Sequence, residues 1–222
     1  MAGLDRLPRG PGRRGRRPPH RQPRRSFLIV CEGAVTEVRY FEAFPVSKQV
    51  HVAVHGEGKN TTSLVAAAVE HADRAVRDDV PFDEVWLVYD HDDFGADKFN
   101  RAAQEVEALD ATRDERWRAA WSHQAFEVWY LLHFQYFDGQ LHRHHVQKRL
   151  GELLQQHCGR GYRKNDPHLY DLLLARQPTA LQHALRLART HGVTPHGTTR
   201  PADANPCTQV YLLVEALNAE IH

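Results

Sequence analysis

At 222 residues and 41% hydrophobic, the chain is long enough for one α/β core with a modest helical extension, and too short for two full enzymatic domains. No apolar run approaches the roughly 18 residues of a membrane span, and the arginine-rich start leads into no apolar stretch, so neither a membrane protein nor a secreted one is expected. The net charge of +1 conceals an asymmetry: residues 1–25 carry nine arginines against Asp5 alone, a net +8, which leaves −7 on residues 26–222.

The basic segment, with Arg13, Arg14, Arg16, Arg17, Arg24 and Arg25 among its arginines, is rich in Pro and Gly and has no apolar periodicity. It is expected to be disordered, because it cannot bury enough surface to offset its conformational entropy. It reads either as a salt-sensitive grip on nucleic-acid phosphates or as an arginine-biased extension without a role. Cys31, Cys158 and Cys207 stand at unrelated spacings and form no CxxC pair, which fits reduced thiols and a cytoplasmic protein better than a disulfide framework.

Structure begins abruptly at residues 27–31, a continuous apolar run typical of a strand buried on both faces, and Glu32-Gly33 ends it. Val38, Tyr40, Phe41 and Phe44 then fall at helical spacing, with Pro45 as a stop. Val50, Val52 and Val54 alternate as a second strand. A loop at residues 56–60 leads into a long helix that ends at Arg77, capped by Thr61 or Thr62. Residues 85–89 are a third buried strand, running into Asp90-His91-Asp92-Asp93, and a helix over 97–109 follows. A fourth strand is expected at 118–121 and a helix over 126–134. Further helices are expected at 146–156, 168–175, 181–190 and 206–219, the last with Asn205 as N-cap and Pro206 in its first turn. Trp86, Trp117, Trp121 and Trp129 read as core. The alternation of strands and helices predicts a mostly parallel, Rossmann-like sheet with helices on both faces and the active crevice outside the strands' carboxyl ends. The organisation expected is a tail (1–25), an α/β core (26–122) and a helical C-terminal part packed on it (123–222).

The acidic residues follow the strand ends. Asp90 and Asp92, two apart on extended chain, project to the same side and can share a metal. Mg²⁺ prefers such oxygen ligands, commonly one or two carboxylates plus a substrate phosphate. It would orient a phosphodiester and lower the pKa of the attacking water, with Glu32 as the further carboxylate that moves a proton. A lone DxD reads rather as a solvated acidic turn; its meaning comes from its pairing with strand-Glu-Gly. Gly56-Glu57-Gly58-Lys59 fails as a P-loop, since Ala53 and Asn60 stand where the first glycine and the hydroxyl belong, although Lys59 remains able to touch a substrate phosphate. The sixteen histidines, with His142, His144 and His145 crowded together, lack the cysteine pairs of a structural zinc site.

Strand-Glu-Gly followed by strand-Asp-x-Asp resembles the Toprim domain of topoisomerases, primases and several nucleases. The closer resemblance is to the RloB-like family of restriction and phage-defence loci. Its C-E-G-x-x-T-E-x-x-Y-F pattern is matched by Cys31, Glu32, Gly33, Thr36, Glu37, Tyr40 and Phe41, and its D-x-D-D-F by Asp90, Asp92, Asp93 and Phe94. Its S-N-P-x-F-E-x-W-x-L-L-H-F is matched by Ser122, Phe126, Glu127, Trp129, Leu131, Leu132, His133 and Phe134, with His123-Gln124 in place of Asn-Pro. Asn205-Pro206-Cys207-Thr208, leading into Val210, is a further match. The resemblance implies a Toprim-like fold and a Mg²⁺- or Mn²⁺-dependent endonuclease acting in phage defence or restriction-linked systems, on DNA or RNA. In it Glu32 takes the acid-base role, Asp90 and Asp92 hold metal, and a separate ATPase or restriction-modification subunits are partners. Glu127 and His133 are further catalytic candidates of second rank; they read more readily as a turn cap or Arg partner and as a satisfied core histidine. Glu37 and Asp93 read as extra metal ligands or as solvated charges. The rival functions are a non-catalytic nucleic-acid sensor or adaptor, and a phosphotransferase or phosphatase acting on nucleotides.

Overall fold

The two apolar runs become the centre of one sheet. The computed structural model of the chain describes residues 25–58, 61–91, 95–140, 142–194 and 200–221. Residues 1–24 with their arginines, Lys59, Asp92 and Asp93 lie outside the described residues. Strand β1 (Ser26–Cys31) leads to helix α1 (Thr36–Glu42), β2 (His51–Gly56), α2 (Thr61–Arg77), β3 (Glu84–Asp90), α3 (Ala96–Thr112) and β4 (Arg116–His123). Helices α4 (Glu127–Leu132), α5 (Arg143–Cys158), α6 (Leu169–Leu174) and α7 (Gln177–Thr190) follow. A 3-10 turn (Pro201–Asp203), β5 (Cys207–Thr208) and α8 (Val210–Asn218) complete the chain.

The strand order is β2-β1-β3-β4-β5, parallel except for β5, which runs antiparallel to β4. Every residue of β1 is buried, as are Glu84 to Tyr89 of β3, which is why both read as unbroken apolar runs rather than as alternation. The chain leaves β1 toward β2 on one side and returns past it to β3 on the other. The order therefore reverses between β1 and β3, and the loops leaving those two strands diverge to open a crevice at their carboxyl ends.

The C-terminal helices are part of the same body. One continuous apolar core runs from Phe27 to Leu217 and includes Trp86, Trp117, Trp121 and Trp129, none more than 4% exposed. The boundary expected at 122/123 falls inside β4, and the C-terminal part supplies the fifth strand. That strand corrects the reading of the last helix: Cys207 and Thr208 pair with His123 and Ser122, and the helix starts only at Val210. Asn205 does not cap it, and Pro206 follows a cis peptide bond instead of opening a turn. The N-cap is Gln209, without a side-chain cap; the Thr208 hydroxyl accepts the Val210 N–H at 3.2 Å and meets the Ser122 hydroxyl at 2.9 Å. Two residues are too few for a periodic strand signal, so only the partner strand reveals them. Among the described residues no helix is long and apolar enough to cross a membrane.

Candidate carboxylate site

The crevice at the β1/β3 switch point is lined by acids from four elements. Glu32 follows β1 directly, and its Oε2 accepts the backbone N–H of Asp90 at 3.1 Å. The first and third strand ends are thereby joined. Glu37, in the first turn of α1, is 9% exposed. Its Oε2 lies where a Cβ on Gly33 would come within 2.1 Å of it, so only a residue without a side chain lets the carboxylate fold back over the β1–α1 turn. A second glycine tightens the same corner: a Cβ on Gly56 would sit 2.9 Å from the Gly33 carbonyl oxygen.

Glu127 opens α4 and is 4% exposed. It reaches the crevice because the aromatic residues of α1 and α4 interlock. The Trp129 indole donates to the Tyr40 hydroxyl at 2.8 Å, and the Tyr40 ring packs 5.8 Å from Phe126 and 5.5 Å from Tyr130. Burying a side chain of this size contributes roughly 2–3 kcal/mol, enough to hold two acids together against their repulsion. Gln147 Nε2 and the Tyr162 hydroxyl both donate to Glu127 Oε1, at 2.8 and 2.9 Å.

Asp90, the last residue of β3, carries the strongest electrostatic signature. Its Oδ1 is shut off from solvent and makes no hydrogen bond among the described residues. Burial, then the negative charges of Glu37 and Glu127, hold its carboxyl well above the ordinary carboxylate range, while the Phe126 amide and Arg143 act in the opposite sense. Burial likewise raises Glu37, with Glu127 and Glu32 adding to it and Lys164 opposing. Arg143 is brought near by its own backbone N–H, which donates to Gln124 Oε1 at 2.9 Å from the turn before α4.

The other sequence candidates fall elsewhere. His133 is 2% exposed; its Nδ1 bonds the Trp129 carbonyl at 2.9 Å and its ring lies edge-on to that indole. Burial holds its pKa down at about 4, and the charged groups it feels are Arg176 and His183 rather than the carboxylates. It is a buried core histidine whose Nε2 has no hydrogen-bond partner among the described residues. Arg25, counted with the basic tail, instead pairs with Glu84 at 2.5 Å and with Glu220, at the amino end of the strands. Tyr162, Gln147, Lys164 and Arg143 escape sequence reasoning, because each stands on a polar stretch with no pattern of its own.

The donor set is all oxygen, and a buried acceptor without a partner, ringed by like charges, fits a hard divalent cation such as Mg²⁺. Among the described residues no three acidic, His or Cys side chains are arranged to hold a metal ion; Asp92, two residues beyond Asp90, lies outside that set. Residues 27–217 match the family model described as RloB-like protein. No curated protein and no solved structure matches the chain.

Proposed function

Because the chain belongs to the RloB-like family, we propose that it is a Toprim-type endonuclease that hydrolyses phosphodiester bonds with Mg²⁺ or Mn²⁺. The observation that carries this reading is the Asp90 carboxylate, half of it buried without a hydrogen bond and raised by burial beside Glu37 and Glu127. Folding tolerates such a cluster when a ligand later relieves it. In this reading Asp90 and Asp92 hold the cation and Glu127 adds a carboxylate. When bound, the cation polarises the scissile phosphate and lowers the pKa of the attacking water.

Glu32, fixed against the Asp90 amide, moves the proton to or from the reacting oxygen. Arg143 and Lys164, the cations opposing the acids, receive phosphate oxygens as the substrate enters. His133 has no chemical part. The basic tail adds a salt-dependent grip on the polymer. The family points to work in phage defence or restriction-linked systems beside a partner ATPase or restriction-modification subunits, and the buried thiols of Cys31 and Cys207 suit the cytoplasm.

The test is cleavage of single- and double-stranded DNA and RNA oligonucleotides with and without Mg²⁺. Asp90→Ala and Asp92→Ala are each expected to lose at least about 100-fold in rate, as loss of a metal ligand demands. Undiminished cleavage by either would sink the mechanism. The absence of a three-ligand arrangement among the described residues favours one rival, a nucleic-acid-binding adaptor; metal-independent binding without cleavage is its signature.

A further inference from the structure

Residues 159–168, between α5 and α6, match none of the sequence motifs, yet they cross the carboxylate crevice. The Thr36 hydroxyl of α1 donates to the Lys164 carbonyl at 2.9 Å, the Arg39 guanidinium donates to the Asn165 carbonyl, and Arg160 pairs with Asp166 within the connection. The strap is thus tied to the helix that carries Glu37 and braced on itself. From it the Tyr162 hydroxyl reaches Glu127 Oε1 at 2.9 Å, the same oxygen that Gln147 Nε2 of α5 holds at 2.8 Å.

Two donors converging on one carboxylate oxygen fix the rotamer of a side chain that repulsion from Glu37 and Asp90 would otherwise displace. The remaining oxygen is then presented in one direction. Hydrogen-bonded partners behind a metal ligand orient it in this way, and their removal weakens metal binding although they touch no metal themselves. We propose that Tyr162, seconded by Gln147, is a positioning residue that holds the Glu127 carboxylate in a fixed orientation as a further ligand of the divalent-cation site; this rests on the metal-site reading above.

Tyr162→Phe keeps the ring and removes only the donor, and Gln147→Leu removes the second donor independently. Mn²⁺ dissociation constants are measured by titration calorimetry on the full chain, for wild type, both variants and Asp90→Asn, with apo melting temperatures in parallel. Each donor variant is expected to bind Mn²⁺ roughly tenfold more weakly at an unchanged melting temperature. The Mg²⁺ concentration for half-maximal cleavage should rise by the same factor, while the rate at saturating Mg²⁺ recovers. Wild-type affinity in both variants, beside lost binding in Asp90→Asn, would overturn the proposal and leave the metal site standing. Weaker binding only in step with a fallen melting temperature would make Tyr162 a structural strut and overturn it too. A wild-type chain that binds no Mn²⁺ would end both the metal-site reading and this inference.

Discussion

At the amino end of the sheet, Arg25 is held by Glu84 and Glu220, Arg113 by Asp73 and Glu115, and Arg118 by Asp110. Glu84 Oε2 accepts the Trp86 indole N–H at 2.9 Å, and Asp83 accepts both the backbone and the hydroxyl of Ser26. Arg25, Asp83, Glu84, Asp110, Arg113 and Glu115 are among the residues that line a pocket of about 620 Å³, yet its arginines and most of its carboxylates are already engaged with neighbouring groups. At the carboxyl end of the same strands, Asp90, Glu37 and Glu127 face chiefly one another, with Arg143 and Lys164 as the opposing cations. The two ends of the sheet thus use charge differently. Paired charges at one pole fasten the strands in register, and under-compensated charges at the other store an affinity for a cation.

That contrast breaks most visibly under paired substitutions at the two poles. Glu84→Gln removes the anion shared by Arg25 and Arg116 and is expected to cost about 1–3 kcal/mol of unfolding free energy. Asp90→Asn, an equally conservative change, should leave apo stability within about 1 kcal/mol or raise it, as expected where function is maintained against stability. Chemical denaturation of both variants decides this. An Asp90→Asn chain destabilised as much as Glu84→Gln would make the carboxyl-end cluster structural.

A smaller effect is expected at Gly33. Gly33→Ala drives the Glu37 carboxylate away, since the added carbon would sit 2.1 Å from its Oε2. The flexible carboxylate yields, so the fold survives while Mn²⁺ affinity falls roughly tenfold. Glu37→Ala should lose as much, and the double variant no more than either, because both changes remove one interaction. Additive losses in calorimetry would mean that Gly33 serves the turn and not Glu37.

The subtlest effect is in pH dependence. A carboxyl whose folded pKa is raised stabilises the fold while protonated, below the ordinary range near about 4, and that contribution is lost as pH rises through the folded value. Apo wild type should therefore lose stability relative to Asp90→Asn as pH increases from there, and Mg²⁺ should restore it. His133 and His123, both held down to about 4 from 6.5 by burial, act in the opposite direction. Their contribution is complete above 6.5 and is lost as pH falls toward about 4. Melting curves of the two chains across this range separate the effects, and parallel profiles would remove Asp90 from the buried cluster.

Much of this architecture was legible in the chain because the signals are local. Residues 27–31 and 85–89 are apolar without interruption since both faces of β1 and β3 are covered, and Glu32 and Asp90 stand immediately after or at their ends. Helix limits such as Arg77 were equally local. The Asn205-Pro206 start misled because a capping residue before proline is the usual opening of a helix, whereas here the backbone of Cys207 and Thr208 is claimed by β4.

What the sequence determined by itself is therefore the class of the fold and which two strand ends carry acids, since both depend on residues adjacent in the chain. Only the tertiary structure decided that Glu37 and Glu127 converge on Asp90, that His133 and Arg25 turn away, and that a patternless strap brings Tyr162 to Glu127. Those outcomes depend on the aromatic packing of α1 against α4 and on a connection folded back more than a hundred residues later, distances at which no periodicity or spacing records who meets whom.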